Sequence, residues 1–282
     1  MHDSMEEVWR RLHLLSRCQS LSDFGKAYCD LIGARLESLG ERAADLRRLF
    51  IAFLDQQLRF HGGLRNLADD NGVDTGEGHS LAEKRTIALQ ETVEQLDLAD
   101  GDDGRCGVCH LLAAECHYQL DQFDEVVHRL EQAVASGVEE PLVHFALGHN
   151  MLTQAERRYT ATDEDSDEII VLDGSAYRSA LLKVVSAFER GLTGGPMDAD
   201  LHWWIGTCLE RAGFDSAAAH AFSQAKGVVA DADSAQMSAG EDPVPEPEYQ
   251  GLTGTSLSEV QRVRELLKRS YTVADILGDT EM

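Results

Sequence analysis

What this chain has little of narrows its class first. Lysine is scarce and limited to Lys26, Lys84, Lys183, Lys226 and Lys268. Bases as a whole are outnumbered, 25 Lys plus Arg against 50 Asp plus Glu, for a formal net charge of -25. Such a surface repels nucleic-acid phosphates and anionic lipid headgroups, which argues against both as partners and leaves basic proteins open. No apolar run approaches the roughly 18 residues of a membrane-spanning helix, so no membrane insertion is expected. Proline is limited to five residues, three of them between Ala230 and Thr255. Strand signals are nearly absent: "EIIVL", Glu168 to Leu172, is one short candidate with nothing evident to pair with. The N-terminus "MHDSMEEVWRRLHLL" sets acids before its bases and has no extended apolar segment with a cleavage site. That argues against a secretory or mitochondrial leader. A cytoplasmic location with reduced thiols is the expectation.

Familiar catalytic signatures are missing too. There is no G-x-x-x-x-G-K-[ST], no G-x-G-x-x-G after a strand, no G-x-S-x-G and no H-E-x-x-H. The many carboxylates read as solvated faces, and no acid–base pair stands out. The expectation is therefore a protein that is not an enzyme and that needs no cofactor. An acid-rich, lysine-poor surface is also the pattern of salt-adapted organisms. Six cysteines count against that origin, and a GC-rich genome encoding an acidic scaffold explains the same composition.

What is present is helical. The chain has 282 residues, 43% hydrophobic and 27% charged, enough for a sizeable core. Apolar residues recur three and four apart in "MEEVWRRLHLLSRC", "DFGKAYCDLIGARLESL", "ERAADLRRLFIAFLDQQLRF" and "SLAEKRTIALQETVEQLDL". These four segments make a helical region over residues 1–98. Residues 233–255 read as an acidic, proline-containing linker. Residues 256–278, beginning "SLSEVQRVRELLKRSYTVADIL", read as a last amphipathic helix.

Residues 105–232 carry an internal repeat. Ala113-Ala114 is followed by His117, Asp121, Phe123, Val126, Leu130 and Ala133. Thirty-four residues after Ala113-Ala114 stands Leu147-Gly148. Farther on come Ile205-Gly206, Leu209, Gly213, Ala218, Phe222 and Ala225. The pattern resembles the tetratricopeptide repeat (TPR), a helix–turn–helix unit of about 34 residues. The phase places repeat one at Gly107 to Glu140, begins repeat two at Pro141 and places repeat three at Ala199 to Ala232. The second helix of repeat two, with Val184, Phe188, Gly191 and Pro196, comes 24 positions late, after an acidic insertion at about 155–178. The family's tryptophan is replaced by His110, His144 and His202, and the turn of repeat three is one residue short. The seven-residue interval from Gly33 to Gly40 matches that from Gly206 to Gly213, which admits a degenerate N-terminal repeat.

The resemblance implies an all-α fold: antiparallel helical hairpins stacked as a TPR-like right-handed solenoid, with extra N-terminal helices and a C-terminal helix. It also implies a concave groove for a protein partner, lined by Leu111, Glu115 and Tyr118, then Phe145, His149 and Leu152, then Trp203, Thr207 and Glu210. Tetratricopeptide co-chaperones that hold acidic C-terminal tails line this groove with Lys, Arg and Asn. Here it is apolar and acidic, which suits an apolar or basic peptide or helix. The chain's own terminal helices are the competing occupants. The implied function is a non-catalytic interaction scaffold: an adaptor, an assembly factor or a subunit of a larger complex.

One stretch stands apart. "RCGVCHLLAAECH", Arg105 to His117, contains C-x-x-C-H, the spacing of covalent haem attachment. Within the repeat phase, His110 falls at the packing position that His144 and His202 also occupy. Cys106, Cys109, Cys116 and His117 have zinc-ligand chemistry, which makes a metal-binding or redox protein the alternative. Cys109 and Cys116 lie about 10 Å apart along one helix, however, too far for one ion at about 2.3 Å from each sulfur. Buried thiols packed as small apolar groups are the simplest reading.

Overall fold

Side-chain caps from Ser22, Cys106 and Asp173 start three of the described helices. A computed structural model describes residues 5–18, 21–61, 81–100, 106–162 and 169–237. The acidic linker and the C-terminal helix expected over 233–278 lie almost wholly outside that set. The chain divides into two units, Met1–Val138 and Glu139–Met282.

The first unit holds six helices among its described residues. They are α1 (Met5–Ser16), α2 (Asp23–Ser38), α3 (Ala44–His61), α4 (Leu81–Asp100), α5 (Gly107–Gln119) and α6 (Phe123–Ala135). α1 buries Val8, Leu12 and Leu15 on one face. Ser22 caps α2 by accepting the Gly25 N–H at 3.1 Å. α1 packs on α2 and α3, α4 on α3 and α5, and α5 also on α2 and α6. A Cβ built on Gly33 of α2 would lie 2.7 Å from Leu12 of α1. Gly33 thus lets α2 approach α1 closely. Arg11 on α1 joins Asp55 on α3 at 2.7 Å, and Arg129 on α6 joins Asp97 on α4 at 2.6 Å.

α5 and α6 form the first repeat hairpin. Its turn residue Asp121 sits at φ 56°, a left-handed conformation that Asp tolerates. Ala114 and Leu130, the small residue and its filler, are both buried.

The second unit holds α7 (Pro141–Tyr159), α8 (Gly174–Arg190), α9 (Asp198–Arg211) and α10 (Asp215–Met237). α7 pairs with α8, α8 with α9 and α9 with α10, so two hairpins follow one another. Pro141 opens α7 at its first turn, where a missing N–H costs nothing. Gly213, at the repeat position that Asp121 holds in the first hairpin, turns α9 into α10 at φ 80°.

The hairpins close by the same contact twice. A Cβ on Gly148 would lie 2.5 Å from the Phe188 ring, and a Cβ on Gly206 would lie 2.6 Å from the Phe222 ring. Phe222 follows Gly206 by 16 residues; Phe188 follows Gly148 by 40, the same interval lengthened by the 24-residue insertion. Both rings are buried. Each hairpin therefore sets a bare helix backbone beneath an aromatic ring, and the repeat phase is realised in space. The fold is all-α and TPR-like in its sequential hairpins.

Regular structure reaches into both ends of the insertion. α7 continues through Tyr159, and Asp173 starts α8 by accepting the Ala176 N–H at 3.0 Å. Between them, β1 (Thr160–Thr162) and β2 (Ile169–Val171) pair antiparallel, with Ala161 opposite Ile170. "EIIVL" does have a partner, then, and it is "TAT". Three residues are too few to show alternation, so the sequence pattern concealed it. The longer α7 carries Glu156 to an ion pair with Arg211 of α9.

The glycines provide a test with an internal control. Gly→Ala in a helix interior gains about 1 kcal/mol of propensity, while overpacking costs about 1–3 kcal/mol. Gly148→Ala and Gly206→Ala are expected to lower the urea midpoint. Gly227→Ala on α10, where a Cβ meets nothing within 4 Å, is expected to raise it. Equal shifts of one sign at all three positions would contradict the packing.

Candidate functional site

The groove positions of α5 face the chain itself. Leu111 is 0% exposed, and the Tyr28 hydroxyl of α2 donates to its carbonyl at 3.0 Å. Glu115 accepts from Gln119 Nε2 at 2.9 Å. The Gln119 carbonyl oxygen in turn accepts from Gln57 of α3 and from Arg85 of α4, each at 2.8 Å. Burial pushes the Glu115 carboxyl up to about 7, against the pull of Gln119 and Arg85. Tyr118 stays exposed, with its ring edge-on to Phe123 at 6.0 Å. Helices α2, α3 and α4 thus occupy most of the face that the resemblance reserves for a partner.

In the second unit the expected groove residues divide. Phe145 and Leu152 are 2% and 3% exposed and belong to the core. Phe145 packs on Phe188 with centroids 6.0 Å apart. Leu111 is buried as these two are. Helix α7 buries Val143, Phe145, Ala146, Leu147, Leu152 and Ala155, while Leu142 and Met151 stay half-buried. His149, Trp203, Thr207 and Glu210 remain half-buried. The last three share one face of α9, at helical spacing. The Thr207 hydroxyl donates to the Trp203 carbonyl at 3.1 Å. Trp203 leans on Phe222, centroids 5.4 Å apart. His149 meets Trp204 edge-on at 5.4 Å, and burial holds its pKa below the usual histidine value. Trp204, which also stacks on Phe188 at 6.4 Å, is an aromatic anchor that the sequence reading passed over. Trp203 and Trp204 are both half-buried, and each packs on a different buried phenylalanine.

The three repeat-position histidines fare differently. His110 and His144 are buried, whereas His202 is half-buried. His144 packs beside Gly191, and His110 Nε2 lies 3.5 Å from Asp100 Oδ2.

The thiols separate into two groups. Cys106 caps α5, and its Sγ accepts the Cys109 N–H at 3.4 Å. Asp100, at the end of α4, accepts the Cys106 N–H at 2.8 Å. Asp100, Cys106 and Cys109 bring one donor atom each within 4.8 Å of one another. Hydrogen bonding from Cys109 holds the Cys106 thiol down at about 7 and pushes that of Cys109 up. Cys116 and His117 stand apart from that cluster: Cys116 is buried, and His117 Nδ1 contacts Gln122 Oε1 at 2.7 Å. The third donor is thus Asp100, six residues before Cys106.

No family model matches this sequence, and no curated protein matches it. Among solved structures, one similar chain is the "Crystal structure of MamA protein", with 15% sequence identity and a TM-score of 0.40. The match covers 79% of this chain and 99% of that one. The TPR-like assignment rests on the chain's own hairpins and their glycine–phenylalanine contacts. None of the described helices is long and apolar enough to cross a membrane.

The raised Glu115 pKa gives a pH dependence of defined sign. The folded chain keeps this proton up to about 7, while an unfolded chain releases it near 4.5. Between those values the folded state binds more protons, so stability falls as pH rises. Wild type minus Glu115→Gln is expected to lose on the order of 2 kcal/mol of unfolding free energy from pH 4.5 to 7.5. Parallel pH profiles for the two proteins would refute the assignment.

Proposed function

We propose that this chain is a non-catalytic protein–protein interaction scaffold whose second unit docks an apolar or basic helix or extended segment. The observation that carries the reading is the half-buried face of α9. Trp203, Thr207 and Glu210 stand in line on a helix held by the packing of Trp203 on Phe222 and of Trp204 on Phe188. Tryptophan is the residue type most enriched at binding hot spots, and a rigid backing limits the entropy lost on docking. The acidic surface favours a basic partner by steering the encounter and setting register. Stacked hairpins present such faces as extended surfaces, and their chemistry lies in side-chain complementarity. On this reading the first unit contributes little to capture, because α2, α3 and α4 cover most of the equivalent face of α5. An adaptor, an assembly factor or a subunit of a larger complex all fit the same surface.

A photo-reactive residue placed at Thr207 tests the surface without disturbing the core. In native extract it is expected to cross-link to a partner segment rich in Arg, Lys and apolar residues. The same residue at exposed Glu131 on α6 is expected to stay unreacted. Glu210→Lys is expected to weaken capture about tenfold, by reversing a charge at the rim. Equal adducts at both positions, or capture indifferent to Glu210→Lys, would overturn the proposal.

A further inference from the structure

A second site lies in the first unit, where α4 ends and α5 begins. Asp100, Cys106 and Cys109 come from two helices and meet within 4.8 Å. A tetrahedral ion with metal–sulfur bonds of about 2.3 Å and metal–oxygen bonds of about 2.1 Å sets its ligands about 3.5–3.8 Å apart. Closing the remaining gap takes side-chain movement of about 1 Å, within reach of rotamer adjustment. The backbone already holds the donors. The Cys106 N–H fixes the Asp100 carboxylate at 2.8 Å, and the Cys109 N–H points at the Cys106 sulfur at 3.4 Å. Cys109 is buried, whereas Cys106 keeps partial access to solvent, which leaves an entry side. Two thiolates and a carboxylate repel one another unless a cation lies among them. The set mixes soft sulfur with one hard oxygen, which favours zinc-like ions over magnesium or calcium.

We propose that Asp100, Cys106 and Cys109 form a binding site for one thiophilic divalent cation, zinc or cadmium, that ties α4 to α5 and leaves its fourth position to an exogenous ligand. The site differs from the group Cys106, Cys109, Cys116 and His117 that spacing alone offered. Its consequence is structural: an ion bound by the folded chain and not by the unfolded one stabilises the fold.

The test uses the full-length chain, reduced with a phosphine and freed of metal. Titration with Cd2+ is expected to raise a thiolate-to-cadmium charge-transfer band that saturates at one equivalent and is suppressed by competing Zn2+. Cys106→Ser and Cys109→Ser are each expected to abolish it. Asp100→Asn keeps an oxygen for the Cys106 N–H while removing the charge, and is expected to weaken binding at least tenfold; outer-shell changes alone cost about 10–100-fold. Cys116→Ala, folded as judged by circular dichroism, is expected to retain the band. One equivalent of Zn2+ should also raise the melting temperature of wild type but not of Cys106→Ser. The proposal is overturned if no band forms at one equivalent, if Cys106→Ser or Asp100→Asn binds as wild type does, or if folded Cys116→Ala loses the band.

Discussion

Two phenylalanine rings lying against two glycine backbones hold the second unit together. Phe188 on Gly148 and Phe222 on Gly206 leave no room for a methyl group, so helices α7 and α9 approach their partners more closely than side chains ordinarily allow. Burying such a ring contributes about 1.5–3 kcal/mol, and interior packing density makes each contact sensitive to a single added carbon. The remaining aromatics depend on this spacing. Phe145, His149 and Trp204 gather around Phe188, and Trp203 leans on Phe222. Helix α9 is thereby fixed in rotation, with Trp203, Thr207 and Glu210 half-buried.

The first unit solves a different problem. Its α5 is built to the same repeat phase, but the face bearing Leu111 and Glu115 is packed against the chain's own helices. A polar chain of Gln57, Gln119, Arg85 and Glu115 accompanies that packing, and its price is a carboxyl held near neutrality by burial. In the first unit the face of α5 is thus covered by the unit's own helices, whereas in the second unit Trp203, Thr207 and Glu210 of α9 remain half-buried.

The repeat phase was readable in the sequence because its signal is periodic: small residue, turn, aromatic filler, at fixed intervals that survived an insertion. The N-terminal helices were readable for the same reason. What stayed hidden was local or non-periodic. The strand Thr160–Thr162 is too short to alternate. Leu111, Phe145 and Leu152 occupy groove positions by phase, yet burial depends on neighbours that phase does not encode. Asp100 joins Cys106 and Cys109 across a helix end, and a spacing rule confined to cysteine and histidine overlooks a carboxylate ligand.

The central claim is that the glycine–phenylalanine pairs set the hairpins, and nuclear magnetic resonance reads it directly. Ring currents from Phe188 and Phe222 should shift the α-protons of Gly148 and Gly206 strongly upfield, with cross-relaxation from each glycine to its own ring. Ordinary helical shifts for both glycines, without contacts to those rings, would contradict the account.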